Sequence, residues 1–195
     1  MSISTTLSPR NTCARGFTLT ELMVAAVVGA IVLAGVLTTN LELLRSGTRA
    51  TQYAEMSTQV RRALQQLEGD VKSAITITWN GASDITLTLP AQSGTTSQVT
   101  YAWTSATQSF FRVPGASSAV TAGRIYLVRG IPQLSDGSAG LTFARYDRDG
   151  AVATTDVATK RVQVSMNLVR SQSSVARTTD TAVSAIFVLR NKPTS

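Results

Sequence analysis

Three residues near the start of the chain could do chemistry together: Gly16, Phe17 and Glu21. Glu21 is the only charged residue between Arg15 and Glu42, and it lies near the start of an apolar run. A bare carboxylate inside hydrocarbon is unfavourable by roughly 2.5–3.5 kcal/mol on insertion scales, so Glu21 requires a partner or a proton. Because the run holds no Lys, Arg or His, the nearest cation would be an α-amine at Phe17, created by cleavage after Gly16. That amine could pair with the carboxylate of its own chain or with that of a neighbouring helix.

The element that must position these residues is a long apolar helix. From Phe17 to Leu37 there are 21 residues, which as a helix span roughly 31 Å, enough to cross a bilayer core of about 30 Å. Ala26, Ala30 and Ala34 recur at every fourth position. Such a stripe of small residues either lets helices approach closely in lipid or belongs to a merely permissive apolar helix.

Three ordinary explanations of the apolar run fit less well. A secretory signal peptide has an apolar core of roughly 7–15 residues followed by its cleavage site, whereas this run is longer and carries its acid at the front. A plain signal anchor would span the membrane but has no use for Glu21. A lipoprotein requires Cys after the tripeptide that ends at Gly35, and Val36 stands there instead.

At these residues the chain resembles the type IV prepilin family. The family signature is Gly, then Phe and a short apolar run with Glu at the fifth mature position, and Gly16, Phe17 and Glu21 fill it. The resemblance implies cleavage between Gly16 and Phe17 by a prepilin peptidase, N-methylation of Phe17, and docking of Phe17 and Glu21 into a helical filament. It also implies a single-pass protein in inner-membrane lipid, with a cytoplasmic N-terminus and a periplasmic C-terminal domain, which later enters a pilus or pseudopilus.

The composition favours a structural protein over an enzyme. Lys and Arg number 18 against 11 Asp and Glu, and removal of Arg10 and Arg15 with the leader lowers the formal charge from +7 to +5. The charges are scattered, which is typical of a solvated surface rather than of a nucleic-acid site. The only cysteine, Cys13, lies in the leader, so the mature chain has no disulfide, although many pilins close their C-terminal region with one. Because histidine is also absent and no catalytic constellation is found, we expect no catalytic residues, no metal and no cofactor.

Beyond the membrane the pattern predicts that the helix continues to about residue 74 as an amphipathic segment. Its apolar stripe consists of Met56, Val60, Leu64, Leu67, Val71 and Ile75. From Ile75 the periodicity changes to two, which predicts strands, with a tight turn at Asn80 and Gly81. Further strands are predicted within 99–113, 141–146, 160–169 and 182–189, a short core-packing segment over 125–128, and loops over 91–98, 114–123, 134–140 and 171–180. The aromatic residues of these strands are interpreted as sheet core: Trp79, Trp103, Phe110 and Phe111.

The predicted fold class is therefore α+β and pilin-like, a long N-terminal helix packed on an antiparallel β-sheet. Its parts are a leader over 1–16, a transmembrane half of the helix over 17–37, an amphipathic half over 38–74 and a periplasmic sheet domain over 75–195. Asp147 and Asp149 before Gly150 share part of the pattern of a calcium loop, but the downstream ligand spacing is absent. A turn capped by aspartate side chains is favoured there.

Residues 62–74 are similar to the end of the first helix in PilW-like minor pilins and in the J-type minor pseudopilins of type II secretion. The order of residues in 143–147, 161–164 and 188–191 resembles the C-terminal half of PilW-like minor pilins. The resemblance implies a low-copy subunit that promotes assembly or caps the tip of a hetero-oligomeric filament with other major and minor pilins. A J-type pseudopilin is the alternative. A DNA-uptake or adhesion receptor is the rival from another class, and nucleic acid is considered as a partner only for that rival.

Overall fold

The computed structural model describes residues 16–91, 94–172 and 175–193. Residues 1–15 of the predicted leader, with Cys13, lie outside the described residues. Within these ranges one helix, α1 (Leu19–Ser73), is followed by eight antiparallel strands, so the predicted α+β class is confirmed. The chain divides into two compact units, Met1–Gln52 and Tyr53–Ser195.

The first unit contains the N-terminal part of α1. The helix begins at Leu19, two residues later than predicted, because Thr18 caps it instead of joining it. Every large apolar side chain from Leu19 to Leu44 is at least half exposed. This part of the helix therefore buries no core of its own, and its apolar surface is free for lipid or for other helices.

The second unit contains a five-stranded and a three-stranded sheet. The first sheet has the order β1-β2-β3-β4-β5, with β1 Thr76–Gly81, β2 Asp84–Pro90, β3 Thr96–Thr104, β4 Ser109–Pro114 and β5 Ile125–Arg129. The second has the order β6-β7-β8, with β6 Leu141–Tyr146, β7 Arg161–Gln172 and β8 Val175–Val188. Each strand in both sheets pairs with its neighbour in sequence, so both sheets are simple meanders.

The first predicted turn is displaced by two residues. Ala82 and Ser83 form it, because a bulge between Trp79 and Gly81 keeps Asn80 in the strand. The Asn80 amide donates to Asp84 Oδ1 at 3.0 Å, which holds that side chain against the next strand.

Two predicted loops are shorter than the sequence suggested. The loop over 91–98 is wrong at its end, since β3 already begins at Thr96. The polar segment 171–180 is also strand rather than loop where it is described, because β7 and β8 continue to pair as far as Gln172 and Val175. Polar composition reports exposure to water, whereas a β-ladder is made by backbone groups that nearly every residue possesses. The loop over 134–140 is confirmed, and so is that over 114–123 except at Pro114, which ends β4.

The core of the second unit is one buried cluster shared by α1 and both sheets. The predicted helical stripe is confirmed at Met56, Val60, Leu67 and Val71, which are at most 6 % exposed, whereas Leu64 and Ile75 are only half-buried. The buried face also contains residues that the stripe omitted: Ala63 and Ala74. Small side chains at these positions let the helix backbone approach the strands closely.

The predicted aromatic core is confirmed. Phe110 is fully buried, and Trp79 and Trp103 pack against the same cluster. Phe111 is also buried but belongs to a separate small cluster with Ala102 and Val113. Successive side chains of a strand lie on opposite faces of its sheet, so the neighbouring residues Phe110 and Phe111 belong to different clusters.

Candidate functional site

The first turn of α1 is closed by a reciprocal pair of side chains. The Thr18 backbone N–H and hydroxyl each donate to Glu21 Oε2 at 3.0 Å, and the Glu21 backbone N–H donates to Thr18 Oγ1 at 3.3 Å. This is a capping box, in which a threonine and a glutamate three residues later satisfy free N–H groups at a helix start. Gly16 and the 85 % exposed Phe17 lie immediately before it.

Sequence reasoning missed this capping role of Glu21, although the Thr-x-x-Glu spacing is its ordinary signal. The carboxylate does not depend on a cation alone, because the first turn already satisfies one of its two oxygens. Among the described residues, Glu21 Oε1 accepts no hydrogen bond. The capping box therefore fixes the side chain while it leaves one oxygen open.

The predicted helix-packing residues Ala26, Ala30 and Ala34 are exposed on the first unit, and their packing role stays a prediction. Past them, polar side chains bond back to the helix. Thr38 Oγ1 donates to Gly35 O at 2.8 Å, and Asn40 Nδ2 donates to Val36 O at 3.0 Å. Such bonds satisfy polar side chains locally, which lowers their cost at a membrane boundary.

A second site, which sequence reasoning did not assign, joins α1 to the five-stranded sheet. Asp70 Oδ2 accepts a hydrogen bond from Tyr101 OH at 2.6 Å and another from Arg112 Nε at 2.9 Å. Burial alone would lower the pKa of Arg112, but the Asp70 carboxylate outweighs it and the net pKa is raised. Burial, with Asp70 as the second cause, also raises the pKa of the Tyr101 phenol. Both raised pKa values favour the protonated forms of Arg112 and Tyr101, which are the forms that donate to Asp70.

A separate groove of about 320 Å³ is lined by residues of α1 and β5. The helix contributes Gln59, Arg62 and Gln66, and the strand contributes Tyr126 and Arg129. The Arg129 guanidinium lies over the Tyr126 ring at 5.1 Å. Sequence reasoning treated these charges as a scattered solvated surface, because helix spacing alone does not show which strand lies opposite.

The turn after β6 is built as predicted. Asp147 Oδ1 accepts hydrogen bonds from the backbone N–H groups of Asp149, Gly150 and Ala151 at 2.8–2.9 Å. One carboxylate oxygen thus closes the turn. Within residues 16–91, 94–172 and 175–193, no group of three or more His, Cys, Asp or Glu side chains is placed to hold a metal.

The comparison with protein families agrees with the first of these sites. Residues 11–37 match the family described as the prokaryotic N-terminal methylation motif, a stretch that contains Gly16, Phe17 and Glu21. A comparison with curated proteins gives no match. In the described part of the chain, α1 is the one helix that is long and apolar enough to cross a membrane.

The motif and the apolar helix point to the same kind of protein. The motif indicates a prepilin-like protein of the type IV pilin and pseudopilin kind, a class of structural subunits rather than enzymes. It implies processing by a prepilin peptidase and assembly with other pilins. The apolar N-terminal helix is consistent with a membrane-anchored protein of that class.

Proposed function

We propose that this chain is a minor pilin of a type IV pilus, a low-copy subunit that promotes filament assembly or caps its tip. The observation that carries the proposal is the methylation motif over residues 11–37, which joins a cleavage site to an acid in an apolar helix. The similarity of residues 62–74 to PilW-like minor pilins supports a minor rather than a major subunit.

The proposed docking step depends on charge. A peptidase cuts between Gly16 and Phe17, and the new amine of Phe17 stays cationic after one methyl group is added. The capping box with Thr18 engages Glu21 Oε2, which leaves Oε1 to accept the amine of a neighbouring subunit. In hydrocarbon the ion pair is strong and an unpaired carboxylate is costly, so pairing selects one axial position for each subunit.

The proposed location follows from the same processing. The leader lies in the cytoplasm, α1 crosses the inner membrane up to about Leu37, and the unit Tyr53–Ser195 lies in the periplasm until extraction into the filament. Ala26, Ala30 and Ala34 then face other helices, where small side chains permit close approach.

Glu21→Gln provides the sharpest test, because an amide oxygen can still accept the Thr18 hydrogen bonds while the charge is lost. We expect cleavage and membrane insertion to be unchanged and the amount recovered in sheared filaments to fall at least tenfold. Glu21→Ala, which also removes the cap, should lose as much or more. Thr18→Val is the matched control, since it removes the hydroxyl of the cap but retains the charge and the backbone N–H of residue 18 that holds Glu21 Oε2, and it should assemble within about twofold of the parent. Equal incorporation of Glu21→Gln, or an intact leader on Phe17 in native material, contradicts the proposal.

The alternative is a J-type minor pseudopilin of type II secretion, to which residues 62–74 are also similar. Deletion of the chain separates the two functions. A minor pilin is needed for surface pili, so piliation should fall while secretion of folded proteins continues. Loss of secretion with normal pili would instead assign the chain to the secretion system.

A further inference from the structure

Strand β5 forms an open edge of the five-stranded sheet. It pairs with β4 on one side, and no described strand lies on its other side. Alternate residues of an edge strand direct their backbone N–H and C=O groups away from the sheet, so such an edge can accept another strand. Ile125 and Tyr126 on this strand are 51 % and 39 % exposed, which adds apolar surface next to the free backbone groups.

The groove along this edge is lined by side chains that suit an acidic ligand. Arg62 and Arg129 are both exposed, and neither forms an ion pair with any described residue. Gln59, Gln66 and Tyr126 add further hydrogen-bond donors, and the described lining contains no carboxylate. A guanidinium group binds a carboxylate in a directed, often two-pronged arrangement, so two of them select acidic side chains at defined spacing.

We propose that β5 and this groove bind an extended acidic segment of another pilin-type subunit, which adds a sixth strand to the sheet and places carboxylates on Arg62 and Arg129. The inference rests on the proposed function, since it supplies the partner of an assembling subunit. Backbone pairing along β5 gives affinity, and the two arginines give register and partner choice.

Other occupants fit these observations less well. A second copy of this chain would bring its own Arg129 to the same edge, where like charges repel. The leader over 1–16 contains two arginines and no acid, so it does not match the groove. A nucleic acid cannot extend a β-ladder, and duplex binding relies on cations that neutralise several phosphates, for which this groove offers only Arg62 and Arg129.

The test places a photo-crosslinking residue in the full chain inside producing cells. Ile125 is replaced by benzoylphenylalanine and, separately, Tyr126 by azidophenylalanine, which retains the aromatic ring. The control position is Val157, which is 62 % exposed on the same unit. We expect adducts from both β5 positions, mapped by mass spectrometry to an acidic extended segment of another subunit, and at least tenfold less from Val157.

Charge reversal then tests recognition. Arg62→Glu combined with Arg129→Glu should lower the adduct yield at least tenfold, whereas Arg61→Glu, an exposed neighbour that lines a different groove, should change it less than twofold. Adducts with a second copy of this chain, with nucleic acid or with a non-acidic segment overturn the inference. So does the absence of an adduct when the same material carries a cleaved and methylated Phe17. An uncleaved N-terminus marks failure of the proposed function instead.

Discussion

At the scale of single residues, Asp70 is the most informative side chain of the second unit. It occupies a polar position on the otherwise apolar face of α1, next to the fully buried Val71. The carboxylate is tolerated there because Arg112 and Tyr101 bond to it. Desolvation of such a pair offsets much of its attraction, so its main consequence is to fix which strands lie under the helix.

The raised pKa of Tyr101 predicts a loss of stability in alkali. The phenol has an ordinary pKa near 10 in the unfolded chain, and burial with the Asp70 carboxylate raises it in the folded chain. The folded state therefore holds a proton that the unfolded state releases. The contribution of the Tyr101 phenol to the free energy of unfolding is complete below about pH 10. Above that pH it falls by about 1.4 kcal/mol for each further pH unit, until the folded chain also loses the proton.

Denaturant unfolding of the full chain in neutral detergent micelles measures this dependence. Tyr101→Phe should be less stable at pH 8 by about 1 kcal/mol, since one hydrogen bond is lost, and should show a much shallower decline above pH 10. Tyr53→Phe is the control, because Tyr53 is 53 % exposed and should leave the alkaline decline in place. An equally steep decline in Tyr101→Phe contradicts the assignment.

At the scale of elements, α1 offers a matched pair for the packing argument. Leu67 is fully buried, whereas Leu64, one turn earlier on the predicted stripe, is only half-buried beside β7. Leu67→Ala should destabilise the second unit by about 2–5 kcal/mol, because it removes apolar contact and leaves a cavity. Leu64→Ala should cost less than about half as much, since water already reaches that side chain. Thermal unfolding of both variants under identical conditions compares them, and equal losses would contradict the observed orientation of the helix.

The sequence predicts the elements well because their signals are local. A change of apolar period from 3.6 to 2 locates the end of α1 to within one residue and reveals the strands that follow. The contacts that join different elements connect residues too far apart in the sequence for such local signals to show them. Asp70 bonds to partners 31 and 42 residues away, and β5 becomes an open edge only once the strand order is known. The N-terminal methylation motif could be recognised from the sequence because Gly16, Phe17 and Glu21 lie within six positions of one another, while cleavage after Gly16 stays a prediction.

At the scale of the whole molecule, the last described residues are held without an intrachain disulfide, because Cys13 is the only cysteine in the sequence. Lys192 is 8 % exposed, and its ammonium group donates to the carbonyl oxygens of Asp156, Val157 and Thr159. The Lys160 ammonium group in turn donates a hydrogen bond to Lys192 O at 2.7 Å. Burial lowers the pKa of Lys192, and the nearby Lys160 charge lowers it further. The Lys192 ammonium group therefore satisfies three carbonyl groups, while the Asp156 carboxylate only partly offsets the lowering of its pKa.

Replacement of Lys192 by Met should loosen the attachment of the C-terminal segment, because three carbonyl groups lose their donor while the apolar part of the side chain is preserved. An unsatisfied buried group costs about 1–3 kcal/mol, so local opening of the last strand end should become at least about tenfold more frequent. The Leu189 amide, which donates to Lys160 O at 3.0 Å, reports that opening through hydrogen exchange. Arg190→Met is the control, since Arg190 is exposed, and it should leave the exchange rate within about twofold. Unchanged exchange in Lys192→Met would show that β7–β8 pairing alone secures the C-terminus. Faster exchange confined to this segment would show that a buried lysine closes the end of the chain in place of a disulfide.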